Sequence, residues 1–279
     1  MAVLPHGDTD DPWTVHSEFL KLGRRPKNVP RLSLKSPIFE DKIRFVCIAD
    51  THDLLGRILD RIPDGDVLLH AGDFTIAGAP EKVHEFNRDL GKLPHKYKIV
   101  IAGNHEFGFE EDYRGRSGDR GKSLDQLGVR NPKDLLTNCI YLEDSETTVC
   151  GYRIYGSPWH PMEGYPFGLA RGQALLNKWN KIPHSVDILL THTPPLMHGD
   201  FSHPKYRHPN SLCGCVELLN SIEKRIRPKY HVFGHIHPGN GVTTNGTTTF
   251  VNCAICYSYD EARFDPVIFD LPVQDGFPK

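Results

Sequence analysis

Five short blocks of carboxylate, imidazole and amide punctuate this 279-residue chain: Asp50-x-His52, Gly72-Asp73, Gly103-Asn104-His105-Glu106, Thr191-His192 and Gly234-His235-x-His237. As a set, Asp50, His52, Asp73, Asn104, His192, His235 and His237 offer hard-to-borderline donors and no thiolate. Such donors suit Mn²⁺, Fe or Zn²⁺, whereas Mg²⁺ alone favours more oxygen. Two cations about 3.5–4 Å apart need a bridging ligand, and a carboxylate supplies one. A hydroxide bridging them is a strong nucleophile near neutral pH, because bound cations lower the pKa of water. The chemistry indicated is in-line attack on phosphorus. Neutral imidazoles are required as ligands, so binding should weaken as pH falls toward roughly 6. Each block alone has an ordinary explanation: Asp50 as a helix cap, Gly72-Asp73 as a turn, Asn104 as a left-handed residue, His192 as a satisfied core histidine. The order and placement of the whole set carry the reading.

Placement is the telling part. Apolar, mostly β-branched runs at 43–49 (IRFVCIA), 66–70 (DVLLH), 98–102 (KIVIA), 186–190 (VDILL) and 230–234 (YHVFG) each end where one block begins. A further run lies at 152–156 (YRIYG). Such runs suit strands buried on both faces. Helical patterns at 81–90, 173–179 and 215–225 separate several of them, and 247–252 and 266–271 read as two more strands. Alternating strands and helices predict an α/β domain with helices on both faces of its sheets. Ligands in open α/β sheets gather at the carboxyl ends of strands. Glycines 72, 103 and 234 suit tight turns where backbone approaches closely. Residues 1–41, with Pro5, Pro12, Pro26, Pro30 and Pro37, read as an arm draped over the domain with a short helix around 14–22. The charged stretch 107–138 reads as an insertion or lid.

Composition sets the remaining bounds. A formal net charge of -2 argues against a surface built to coat nucleic acid. No apolar run approaches the roughly 20 residues that span a bilayer. The N-terminus shows neither a basic start nor a hydrophobic stretch, so no secretory signal is expected. Seven Cys is an odd number for a disulfide framework and is read as reduced thiols in a cytoplasmic protein. Cys213, Cys215, Cys253 and Cys256 form a CxC and a CxxC, a weak signature for zinc, and are read as free thiols. His198 is expected near the metals or in solvent, and His203 and His208 at the surface. The basic cluster 21–27, with Arg24 and Arg25, reads as a solvated face.

On these blocks the chain resembles the calcineurin-like metallophosphoesterase superfamily. The segments KIVIAGNHE, LLTN-IYLEDSE-TV, YRIYGSPWHP, CVELLN and RPKYHVFGHIH resemble its metallophosphoesterase-domain-containing branch, akin to class III cyclic nucleotide phosphodiesterases. The resemblance runs from about residue 43 to 272. It implies a four-layer α/β/β/α sandwich, with a metallophosphoesterase domain at 42–279 behind the arm of 1–41. It implies that Asp50, His52 and His237 hold one metal, that Asn104, His192 and His235 hold the other, and that Asp73 bridges, with manganese favoured. Asn104 and His105 would face substrate; His105 would contact phosphoryl oxygens or protonate the leaving alkoxide, for which it must be cationic, and Glu106 would hold its ring. The segment Gly156-Ser157-Pro158-Trp159-His160 resembles the family's substrate-side loop, so Trp159 would stack on a nucleobase; packing in the core is the competing reading. Some relatives carry Gly at the position of His235, and the imidazole here implies a competent second metal. Gly72-Asp73 leads into Phe74-Thr75-Ile76-Ala77-Gly78 and lacks the Arg that grips phosphate in the superfamily's protein phosphatases. The implied reaction is hydrolysis of a phosphodiester, a cyclic nucleotide foremost, to an AMP-like product. The alternative is a slow-turnover nucleotide-binding or scaffold protein that keeps the fold.

Overall fold

The computed structural model describes residues 3–110, 118–202, 211–277 and 279. Its strands are β1 (Lys27–Asn28), β2 (Lys42–Ile48), β3 (Val67–Ala71), β4 (Tyr97–Ile101), β5 (Ile140–Tyr141), β6 (Ser145–Val149), β7 (Tyr152–Ser157), β8 (Ile188–Thr191), β9 (Tyr230–Phe233), β10 (Gly241–Thr244), β11 (Thr249–Asn252), β12 (Cys256–Ser258), β13 (Glu261–Ala262) and β14 (Val267–Pro272). Helices are α1 (Pro12–Lys21), α2 (Pro80–Gly91), α3 (Gly118–Gln126), α4 (Gln173–Trp179) and α5 (Val216–Ser221).

Strand periodicity decides the layering. Successive side chains of a strand point to opposite faces. In β2, Ile43, Phe45 and Cys47 share one apolar cluster with Val67 and Leu69 of β3, Ile99 and Ile101 of β4, Tyr152 and Ile154 of β7, Ile188 and Leu190 of β8, Val232 of β9 and Val251 of β11. The alternate residues, Val46, Ile48, Leu68, Val100, Leu189, Phe233 and Phe250, pack instead with Val83, Phe86 and Leu90 of α2 and with Val15, Leu175 and Leu218 of α1, α4 and α5. The two sheets therefore lie face to face with helices outside, the expected four layers.

One sheet has five strands in the order β14-β2-β3-β4-β5, parallel except for β14 against β2. The other has seven in the order β1-β10-β11-β9-β8-β7-β6, and its centre, β11-β9-β8-β7, is parallel. β12 and β13 form a separate two-stranded hairpin.

The expected arm is stitched into the domain. Asp11 caps α1 through its carboxylate on the Trp13 and Thr14 N–H groups, and Pro12 occupies the first helical position. Val15 and Phe19 are buried, and β1 pairs Lys27 with Thr244 and Asn28 with Thr243 at the sheet's edge. The helix expected at 215–225 is shorter: after Ser221 it widens into a π turn, Ile222–Ile226, closed by Arg227 in the left-handed region. The stretch 107–138 contains α3 and a 3-10 turn, Pro132–Leu135, capped by Asn131. His203 and His208, expected at the surface, lie outside the described residues. No described helix is long and apolar enough to cross a membrane.

Candidate metal centre

All five polar blocks arrive at one edge, the carboxyl ends of the parallel strands. β2 leads to Asp50 and His52, β3 to Asp73, β4 to Asn104 and His105, β8 to His192, and β9 to His235 and His237. The chain turns so sharply there that Asp50, His52, Asp73 and His235 all adopt positive φ, from 41° to 68°. Left-handed backbone is unfavourable for residues bearing a Cβ and persists only where surroundings impose it. Two glycines make the convergence possible. A Cβ on Gly103 would stand 2.3 Å from Asp73 Oδ1, and one on Gly234 would stand 2.0 Å from Asp50 Oδ2.

The donor atoms fall into three groups, each within 4.8 Å: Asp50, His52 and His237; Asp73, His192 and His235; and His52, Asp73 and His105. Asp73 thus belongs to the second group and reaches toward the first. Among the described residues no cysteine joins such a group, and all seven are free thiols.

Hydrogen bonds behind the rings fix which nitrogen faces inward. Nδ1 of His52 donates to the Thr75 carbonyl (3.3 Å), Nδ1 of His237 to the Tyr257 carbonyl (3.3 Å) and Nδ1 of His192 to the Ala71 carbonyl (2.9 Å). Each neutral ring would then present an Nε2 lone pair to the centre, as metal-binding histidines do when a carbonyl holds their other nitrogen. Those lone pairs meet other acceptors. His52 Nε2 lies 3.2 Å from His237 Nε2, and His192 Nε2 lies 2.9 Å from Asn104 Oδ1 and 3.3 Å from Asp73 Oδ2. Acceptors facing acceptors in a buried site are favourable only with positive charge between them, a proton or a metal ion. The residues therefore fit a divalent cation in each of the first two groups.

The electrostatics agree. Burial disfavours the charged form of His192, yet the Asp73 carboxylate prevails and pushes it up to about 9. Burial likewise opposes protonation of His237, but Asp50 holds it above its usual range. Despite its own burial, Asp73 stays well below the usual carboxylate range because of His192. His52 and His235 are pushed down by burial. The field of Asp50 and Asp73 thus attracts positive charge to each cluster.

Glu106 departs from expectation. Its carboxylate does not hold the His105 ring; it accepts from the backbone N–H of Asp73 (2.9 Å), Gly103 (2.6 Å) and Thr75 (2.9 Å) and from the Thr75 hydroxyl (3.0 Å). It braces two of the turns that carry donors. Burial, then the charge of Asp73, raise Glu106 to about 8. Its oxygens nevertheless face four donors, which is the environment of a carboxylate, and a cation beside Asp73 would relieve the repulsion. The His105 ring is held instead by Nδ1–H donating to the Ile76 carbonyl (2.6 Å), while its backbone N–H donates to Asp73 Oδ1 (2.9 Å).

Trp159 is also displaced from its expected role. The ring is 8% exposed, edge-on to Phe167, covered by Lys178 Nζ at 3.3 Å, and its N–H donates to the Asp144 carboxylate (3.0 Å). It packs in the core and does not line the cleft over the centre. That cleft, about 580 Å³, is lined by Asp73, Asn104, His105, His235 and His237 together with residues including Arg171, Tyr257 and Tyr259. His198 lies neither at the metals nor in solvent. It is buried against Phe250, with Nδ1 on the Thr243 hydroxyl (2.7 Å), and borders a separate cavity of about 390 Å³ lined in part by Arg24, Arg25 and Arg227. The basic cluster thus flanks a cavity rather than a plain solvated face.

Three residues at the centre escaped sequence reasoning. His160 stacks on His235 (5.7 Å, 28°) and donates to the Pro166 carbonyl, and burial pushes it down to about 3. Thr75 serves Glu106 and His52. Tyr259 sits edge-on to His52 (4.8 Å, 84°). Only His160 carried a signal, its place directly after a strand and beside Trp159.

Comparison with known proteins is consistent with this geometry. A family model described as calcineurin-like phosphoesterase matches residues 43–239. The chain is 52% identical over 268 residues to a UPF0046 protein of Caenorhabditis elegans, covering 96% of this chain and 95% of that protein. It is 48% identical over 284 residues to a second nematode UPF0046 protein, covering 96% and 69%. It is 47% identical over 257 residues to human metallophosphoesterase domain-containing protein 1, covering 87% and 77%.

Proposed function

The chain belongs to the calcineurin-like phosphoesterase family, whose members are phosphoester hydrolases dependent on divalent metals, and from that premise we propose that it is a dinuclear phosphodiesterase acting on small nucleotides, cyclic nucleotides foremost. The observation that carries the proposal is the convergence of buried ring nitrogens, His52 Nε2 on His237 Nε2 (3.2 Å) and His192 Nε2 on Asn104 Oδ1 (2.9 Å) and Asp73 Oδ2 (3.3 Å). Asp50, His52 and His237 would hold one ion, Asn104, His192 and His235 the second, and Asp73 both. Manganese suits this mixture of nitrogen and oxygen donors. Bound metals would supply Lewis acidity toward a phosphoryl oxygen and lower the pKa of water.

The chain's own residues complete the site. His105, anchored through Nδ1 on Ile76, can turn only Nε2 toward substrate and would deliver a proton from that atom to the departing alkoxide. Asn104 would orient the phosphoryl group. Tyr257, 47% exposed, offers an aromatic face at the cleft, the part first expected of Trp159. A cytoplasmic location belongs to the same reading, in keeping with seven free thiols.

The test is hydrolysis of a chromogenic phosphodiester and of cyclic nucleotides, each with and without Mn²⁺, beside monoesters and single-stranded nucleic acid. Mn²⁺-dependent turnover with cyclic nucleotides preferred is the expected result. Fully metallated protein that binds AMP yet shows no rate above buffer would establish the slow-turnover binding protein instead.

A further inference from the structure

The β12–β13 hairpin belongs to neither large sheet, yet it is pinned firmly to the domain. Arg61 donates to the carbonyls of Ala262 and Phe264, and the Ile255 N–H, just before β12, donates to the Ala49 carbonyl (2.9 Å). Its turn delivers Tyr259 to the mouth of the centre, where the ring meets His52 edge-on at 4.8 Å and lies tilted against His105 at 5.2 Å. The hydroxyl stands 3.4 Å from His105 Nε2. The opposite end of that imidazole is committed to Ile76, and Glu106 is occupied with the turns at Asp73 and Gly103.

We propose that Tyr259 is a positioning residue that holds His105 Nε2 on the path of the departing oxygen. The inference rests on His105 acting as the proton donor of the reaction proposed above. A hydroxyl suits the task because it can donate to a neutral Nε2 and accept from a protonated one, so the ring keeps its heading through the proton cycle. With the hydroxyl gone, Nε2 loses its hydrogen bond, leaving the Ile76 bond at the far end of the ring, the edge contact with His52 (4.8 Å) and Asp73 Oδ2 at 4.0 Å as looser guides. An error of about 1 Å in a reacting group costs roughly 10²-fold in rate. The loss should fall on substrates that need the proton. An alkoxide leaves poorly without one, whereas a nitrophenolate leaves readily.

Tyr259→Phe, which keeps the ring, tests this in Mn²⁺-loaded protein on two substrates: a cyclic nucleotide, whose leaving group is a ribose alkoxide, and a bis(4-nitrophenyl) phosphodiester. We expect kcat on the cyclic nucleotide to fall about 10–10²-fold and kcat on the aryl ester to change by less than about threefold, with KM and metal content unchanged. In a His105→Ala background the Tyr259→Phe substitution should have no further effect. Parallel losses on both esters, no loss on either, or an undiminished effect in the His105→Ala background would overturn the assignment. A wild-type protein inactive on both esters would instead overturn the phosphodiesterase reading, and this inference with it.

Discussion

On the same strands, a few residues apart, the chain builds two environments equally sealed from water and opposite in character. Between the sheets, Ile99 and Ile101 of β4 and Cys47 of β2 are fully buried among apolar neighbours at regular strand geometry. One turn further on, Asp50, His52, Asn104 and His192 are as buried, with their charges and lone pairs turned on one another. An apolar interior gains from burial alone, about 25 cal/mol per Å². Buried charge loses unless it is paired. The core therefore stabilises the molecule by itself, while the strand ends are complete only when positive charge is supplied. The difference teaches where function resides: the core holds an unfavourable cluster in place, and the cluster's deficit is its affinity for cations.

Perturbations that act on one region and spare the other put that contrast to the test. The largest effect belongs to Asp73→Asn, which removes the charge proposed to serve both ions while preserving shape; most activity and most bound Mn²⁺ should disappear together. Metal analysis showing wild-type occupancy would mean that Asp73 is not shared. His105→Ala should keep both metals and lose roughly 10²–10⁴-fold in kcat. An unchanged rate on cyclic nucleotides would remove His105 from the mechanism.

Ile101→Ala strikes the other region. It should cost about 2–5 kcal/mol of stability, seen as a lower denaturation midpoint, and leave kcat per bound metal pair unaltered. Loss of metal affinity at full folding would show that core and centre are not separable. The smallest effect is a pH dependence. Asp73 raises His192 from 6.5 to about 9, so in metal-free protein that proton stabilises the fold fully below 6.5 and the contribution fades as pH rises through about 9. A metal ion must displace the proton. The rise in Tm on adding a fixed concentration of Mn²⁺ should therefore widen across the window from 6.5 toward 9, by up to about 1.4 kcal/mol per pH unit for one displaced proton. A constant increment would show that His192 binds no metal.

Most of the centre was legible beforehand because each donor ends a strand whose apolar pattern announces itself locally. β2, β3, β4, β8 and β9 lie within one or two residues of their expected positions, as do α2 and α4. What stayed hidden depends on contacts between segments far apart. Glu106 neighbours His105 in the chain, which suggested a partnership, but the backbone turn aims its carboxylate at Asp73 and Thr75. Trp159 follows a strand like the other site residues, yet Asp144, Phe167 and Lys178 enclose it. Tyr259 sits in a short hairpin of weak pattern, and β1 is only two residues long.

Residue types and their spacing determined by themselves that this chain makes an α/β domain with metal-capable groups at strand ends, since both properties are written in local periodicity and side-chain chemistry. Only the tertiary structure decided that the two sheets bring those ends to one edge, which nitrogen each imidazole turns inward, and which tyrosine meets His105. Those outcomes turn on distances between residues up to 185 positions apart, as for His52 and His237, and they follow from packing and backbone hydrogen bonding that no local window contains.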